Sequence, residues 1–217
     1  MIGNITAAEP QKKHANRVSI SVDGAYLGSV EDIVWVQSRL KVGNELTEDA
    51  WLAMQGRQEE QVILNRALDR LAARARGTQE LRRFLLDKGH DGQAVDRVLE
   101  KLTEMGYLDD TAFAGMLVRD RVNLKGAGRR AIADELRRVG VGDEAAQQAL
   151  QEYDPDAEME AARSHGQKAL RLAARQEDPR KRRAKVYASL ARKGFGSDII
   201  QRVLRELLEG EPEDTTG

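Results

Sequence analysis

Residues 187–204 read YASLARKGFGSDIIQRVL, and the spacing of apolar residues around the first glycine decides the fold. Leu190 lies four positions before Gly194; Ile199 and Ile200 follow it by five and six, Val203 and Leu204 by nine and ten. The same pattern recurs in LRRFLLDKGHDGQAVDRVL around Gly89 and in IADELRRVGVGDEAAQQAL around Gly140. Leu85 and Leu136 hold the leucine position, and Ala94/Val95, Val98/Leu99, Ala145/Ala146 and Ala149/Leu150 hold the later ones. The glycines are 51 and then 54 residues apart, which marks a tandem structural repeat.

Each copy reads as two helices around a corner. An amphipathic helix ends at a glycine, the residue best suited to the left-handed C′ conformation. A second helix starts two or three residues later, with Asp91, Asp143 or Ser197 placed to supply an N-cap oxygen. Its apolar residues at i, i+1, i+4 and i+5 form one face. The spacing leaves room for one more helix ahead of each pair, at roughly 57–75, 109–123 and 156–176. Asp109 or Asp110 caps the second of these. The unit is a three-helix bundle whose last two helices resemble a helix-turn-helix.

The chain before the repeats has another texture. RVSISVD, residues 17–23, alternates apolar and polar side chains, Asp23-Gly24 is a hairpin turn signal, and AYLGSV can pair back. Ile5 is placed in a third strand, with short helices at Glu31–Leu40 and Thr47–Met54. Trp35 and Trp51 fill the small core of this cap. The expected fold is therefore mainly α: three tandem three-helix repeats in an elongated array behind a β-hairpin-containing cap. The expected divisions are 1–56 for the cap, 57–106, 107–155 and 156–208 for the repeats, and 209–217 for a disordered acidic tail.

Composition narrows function. Charged residues make up 33% of the 217 and aromatics 4%, which suits salt-laced helices. With no cysteine there is no disulfide, thiolate metal site or thiol nucleophile. No apolar run is long enough to cross a bilayer and no signal peptide is evident, so the expected location is the cytoplasm. The formal net charge of −1 conceals strong local imbalance. Residues 163–193 carry eleven basic side chains against two acidic ones, whereas residues 141–160 carry seven acidic and no basic ones. Arginine supplies 25 of the 35 basic residues, a bias suited to phosphate and carboxylate recognition.

RARGTQELRRFLLDKG at 74–89, LTEMGYLDDTAFA at 102–114, KGAGRRAIADELRRVGV at 125–141 and LARKGFGSDIIQRVL at 190–204 together resemble the RecX family of bacterial RecA-modulating proteins. One departure is Gly77, where the family commonly has serine. The resemblance implies a regulator rather than a catalyst. It implies a protein that binds RecA–DNA filaments along their groove and limits filament extension, ATP hydrolysis, strand exchange and the co-protease activity of the SOS response. The partners so implied are the RecA filament and, through weak electrostatic contact, single- or double-stranded DNA. A monomer is expected, with no membrane partner and no cofactor.

The residues expected to form the contact face are Arg82 and Arg83 in the first repeat and Lys125, Arg129, Arg130, Arg137 and Arg138 in the second. Arg182, Arg183, Arg192 and Lys193 complete it in the third. Guanidinium groups at this density can neutralise several phosphates, which makes binding steeply salt-dependent. The bland reading sets them on solvated faces, paired at helical spacing with Glu80, Asp134 and Glu135. KGAGRR is also read as offering backbone N–H groups at a helix start to a phosphate. The alternative function is a helix-turn-helix transcriptional regulator, but GDEAAQQALQEYD, where base readers belong, is acidic and lacks a cation. No catalytic or metal site is expected: His14, His90 and His165 are scattered, and Asp109-Asp110 stands where an N-cap belongs.

Overall fold

A computed structural model describes residues 1–208; the expected acidic tail, 209–217, lies outside the described residues. The chain divides into two compact units: Met1–Arg74 with Leu81–Tyr107, and Ala75–Glu80 with the chain from Leu108 onward.

The first unit opens with strands β1 (Gly3–Pro10), β2 (Arg17–Val22) and β3 (Ala25–Glu31), then helix α1 (Asp32–Ser38) and the two-residue strand β4 (Glu45–Leu46). Every pairing is antiparallel, in the order β3-β2-β1-β4. Alternation in β2 turns Val18, Ile20 and Val22 inward, and the β2–β3 turn has positive φ at both Asp23 (49°) and Gly24 (81°). Ile5 stands in β1 opposite Val22, so the third strand is present. These residues with Val30, Val34, Leu46 and Met54 form the cap core, against which Trp35 and Trp51 pack.

The sequence suggests separate helices at 47–54 and 57–75. They are one helix, α2 (Glu48–Ala73), of 26 residues. Gly56 lies inside it, and a helical glycine costs only about 1 kcal/mol relative to alanine. Buried Met54 before it and Ile63, Leu64 and Ala67 after it hold the helix continuous. The last helix of the cap and the first of the repeats are thus the same element. α3 (Thr78–Asp87) and α4 (Gly92–Glu104) follow, with Leu81, Leu85, Val95, Val98, Leu99 and Leu102 buried.

The second unit contains α5 (Asp110–Lys125), α6 (Arg129–Arg138), α7 (Asp143–Gln151), α8 (Pro155–Leu172), α9 (Pro179–Arg192) and α10 (Ser197–Leu208). Ile132, Leu136, Leu117, Val118 and Ala149 centre one core; Val186, Leu190, Phe195, Ile200, Val203 and Leu204 centre the next. The corner glycines are left-handed as the spacing requires: φ is 83° at Gly89, 78° at Gly140 and 83° at Gly194. Asp91 and Asp109 cap α4 and α5, accepting from the N–H of Ala94 and Ala112 at 3.0 and 2.8 Å. Two expected caps are corrected. Asp143 is the first residue of α7, whose N-cap is Gly142, and Ser197 is the first residue of α10, with Ile200 N–H bonded to Gly196 O at 2.9 Å. In both places the corner is one residue shorter than the caps demanded.

Candidate functional site

The corner glycines do more than turn the chain. At the start of α6, Gly128 N–H donates to Lys193 O at 2.9 Å and Arg130 N–H to Gly194 O at 3.0 Å. At the start of α3, Gly77 N–H donates to Val139 O at 3.2 Å and Gln79 N–H to Gly140 O at 3.0 Å. The same two-bond clasp is therefore made twice in the second unit. It demands glycine on both sides: a Cβ on Gly77 would lie 2.5 Å from the Gly140 carbonyl, and one on Gly128 would strike Gly194. Gly77, the departure from the family's common serine, stands at this close approach.

Glu158 completes the Gly128–Gly194 clasp. Its buried carboxylate accepts from Arg129 N–H at 2.8 Å and Arg129 Nε at 3.3 Å. The Arg129 guanidinium also donates to Leu150 O and, at 2.8 Å, to Tyr153 O, tying α6 to the end of α7. Tyr153 Oη donates to Ala127 O at 3.0 Å; its phenol pKa is pushed up to about 12 by burial first and by the charge of Glu158 second, so it stays a donor. These bonds overturn the reading of KGAGRR as a phosphate cradle. The N–H groups of Gly128, Arg129 and Arg130 are spent on Lys193 O, Glu158 and Gly194 O. Asp110 does comparable work at α3, accepting from Thr78 N–H at 2.9 Å and from Gly142 N–H at 3.4 Å.

Nine of the eleven expected contact residues fall into two groups. Five are engaged by the protein's own acceptors. Arg82 makes a two-pronged pair with Asp96 at 2.7 and 3.0 Å, which raises the pKa of the guanidinium and lowers that of the carboxyl. Arg129 is the clamp just described; Arg137 meets Asp134 at 3.0 Å and Arg138 meets Glu135 at 3.3 Å. Arg183 donates to Gln201 Oε1 at 2.9 Å. Arg83 is exposed on α3 and Arg182 half-buried on α9. Beyond these, Arg121 grips Glu135 at 2.5 and 2.6 Å, holding that carboxyl below its ordinary range, and Arg163 grips Glu206 at 2.8 Å.

The second group gathers at the Gly128–Gly194 clasp. Lys125, Arg130, Arg192 and Lys193 are exposed, and among the described residues none is paired with a carboxylate. The clasp bonds fix Lys193 beside the start of α6, and His165 from α8 reaches to within 3.4 Å of Lys125 O. The His165 ring lies 6.1 Å from that of Phe195. Its pKa is lowered first by burial and then by the charges of Lys193 and Lys168, which report the positive potential of this corner. The sequence sets His165 among scattered histidines, with Lys168 one turn further along the same helix; Lys193 and the Lys125 carbonyl are brought to it only by the folded corner. Arg182 and Arg183 sit on the first turns of α9, about 15 Å along the helix from Arg192, and Arg82 belongs to the first unit.

Three-helix units clasped through paired glycines, with a cationic corner at one clasp, define a helical-repeat protein. Among the described residues no helix is long and apolar enough to cross a membrane, and no group of three His, Cys, Asp or Glu could hold a metal. Residues 3–47 match the family description "Regulatory protein RecX N-terminal domain". Residues 64–102, 109–150 and 156–204 match the first, second and third three-helix domains of RecX. The chain belongs to the RecX family. It is similar to the regulatory protein RecX of Geobacillus kaustophilus, 34% identical over 94% of this chain and 77% of the relative, and to that of Bacillus subtilis, 30% identical over 97% and 80%. A solved structure described as regulatory protein RecX superposes with a TM-score of 0.77 at 30% identity, covering 92% of this chain and 98% of that one. RecX from Lactobacillus salivarius gives 0.62 at 25% identity over 69% and 96%. Family membership implies regulation of RecA in general terms.

Proposed function

We propose that this protein binds RecA–DNA filaments along their groove and limits filament extension, ATP hydrolysis, strand exchange and co-protease activity. The observation that carries the contact surface is the cationic corner of Lys125, Arg130 and Lys193 around His165. Unpaired side chains can exchange counterions for phosphates at no cost in broken ion pairs, whereas Arg82, Arg137 and Arg138 must first leave their carboxylates. The corner therefore takes the leading role, and the paired arginines a secondary one. The exposed face of α7, with Asp143 and Glu144 and with Glu152 at its end, repels phosphate and disfavours the duplex-reading alternative.

The test is inhibition of the DNA-dependent ATPase of RecA by the Lys125→Glu, Arg130→Glu, Lys193→Glu triple variant. Potency is expected to fall at least about 10-fold, and the slope of log affinity against log salt to become shallower by about 3. Lys12→Glu with Lys13→Glu, in the loop between β1 and β2, is expected to leave potency unchanged. Equal potency of the triple variant and the parent protein rejects the corner as a contact.

A further inference from the structure

The antiparallel pair α8 and α9 leaves a groove along its outer side that none of the contacts above uses. Its cavity is about 250 Å³ and is lined by Ala169, Leu172 and Ala173 from α8 and by Lys185, Ala188, Ser189 and Arg192 from α9. Small side chains on both helices make the depression; Ala169 and Ala173 are buried beneath it. Leu172, at its edge, is 88% exposed, the highest value among the large apolar side chains of the described residues. A single exposed leucine is ordinary. One standing beside an alanine-floored groove with a cation toward each end is a docking geometry.

The charge of the walls selects the occupant. α8 carries no carboxylate after Glu160, and α9 carries none at all. Lys185 and Arg192 stand seven residues apart on α9, two helical turns or about 10 Å. Among the described residues Lys185 Nζ meets one acceptor, the Gln176 amide oxygen at 3.5 Å. Nucleic acid would satisfy the cations but leave Leu172 against phosphate and water. The acidic run of this chain, residues 143–152, exposes Asp143, Glu144, Gln147, Gln148, Gln151 and Glu152 but no apolar anchor, so that run on a second copy does not match the groove.

We propose that the α8–α9 groove docks an acidic, amphipathic helical segment of a partner protein. A bulky apolar side chain of that segment covers Leu172 and the alanine floor. Carboxylates two turns apart meet Lys185 and Arg192. This surface shares Arg192 with the cationic group at the clasp, but Leu172 and Lys185 take no part there and distinguish the two.

The experiment measures, by fluorescence anisotropy with the full chain, binding of a synthetic helical peptide of about eleven residues, three turns long. The peptide bears two glutamates two turns apart and leucines between them. Leu172→Ser is expected to weaken binding about 10-fold and Lys185→Gln about 3-fold, and replacing the peptide leucines by serine is expected to match the Leu172 loss. Both protein substitutions are at accessible positions, so far-UV circular dichroism is expected to be unchanged. Equal affinity of the leucine-free peptide, or no response to Leu172→Ser, reduces the groove to unspecific charge attraction and overturns the proposal. Displacement of the peptide by a short single-stranded oligonucleotide in the Lys125, Arg130, Lys193 triple variant assigns the groove to nucleic acid and also overturns it. A concentration-dependent mass in sedimentation that Leu172→Ser abolishes assigns the groove to a second copy of this chain and overturns the proposal as well.

Discussion

The corner at Gly89 and the corner at Gly194 are the same turn in two settings. Both glycines have φ of 83°, and both close the preceding helix with a backbone bond, Gly89 N–H to Leu86 O at 2.8 Å and Gly194 N–H to Ala191 O at 2.9 Å. Around Gly89 a Cβ would meet nothing within 4 Å, whereas one at Gly194 would fall on Ala131. The carbonyls of Lys193 and Gly194 accept from the start of α6, and those of Val139 and Gly140 accept from the start of α3 in the same way. A repeat can thus conserve a turn for its local geometry in one copy and reuse it as a docking edge in the next. The pattern of leucine, glycine and apolar pairs records the first property and is silent on the second.

Substitution at the two corners separates these roles. Gly194→Ala is expected to lose about 3 kcal/mol of unfolding free energy: about 1 for the left-handed backbone and about 2 for overlap with Ala131. Gly89→Ala bears the backbone term alone and is expected to lose about 1 kcal/mol. Urea unfolding followed by circular dichroism measures both. Losses of equal size at the two positions would mean that the clasp adds nothing to the turn.

The helices were legible because each buries one face, so Leu190, Ile200 and Val203 recur at intervals that a helix alone explains. The continuity of α2 was not, because Gly56 resembles a boundary until the packing of Met54 and Ile63 is known. The cationic site was less legible, and for a physical reason. The carboxylates that engage the arginines lie far along the chain: Asp96 is 14 residues from Arg82, Glu158 is 29 from Arg129 and Glu206 is 43 from Arg163. Counting charges in a window, as over residues 163–193, credits Arg163 to the basic face while its partner stands outside the window. Pairs at helical spacing, such as Arg137 with Asp134, were visible to the sequence. Pairs closed by a corner were not, and they decide which cations remain for a partner.

The smallest effect, and the most diagnostic of the Gly194 corner, is its pH dependence. His165 is flanked by Lys193 from the end of α9 and Lys168 from α8, with the backbone of Lys125 and Gly126 opposite. Burial and the two cations lower its pKa in the folded state, and the carbonyls only partly oppose this. The unfolded chain, with an imidazole near the ordinary value of about 6.5, then binds the proton more readily. Stability is therefore expected to fall as pH drops through about 6.5 and to level off below the folded-state pKa. His165→Gln is expected to flatten that part of the profile, and a parent protein that instead gains stability on acidification contradicts the positive potential assigned to the corner. The same imidazole can report on binding. A polyanion seated against Lys125, Arg130 and Lys193 offsets the cationic field, so the His165 resonance in a proton NMR titration is expected to move to higher pKa when a single-stranded oligonucleotide is added. An unmoved titration with oligonucleotide bound elsewhere would leave the corner structurally sound and remove it from the contact surface.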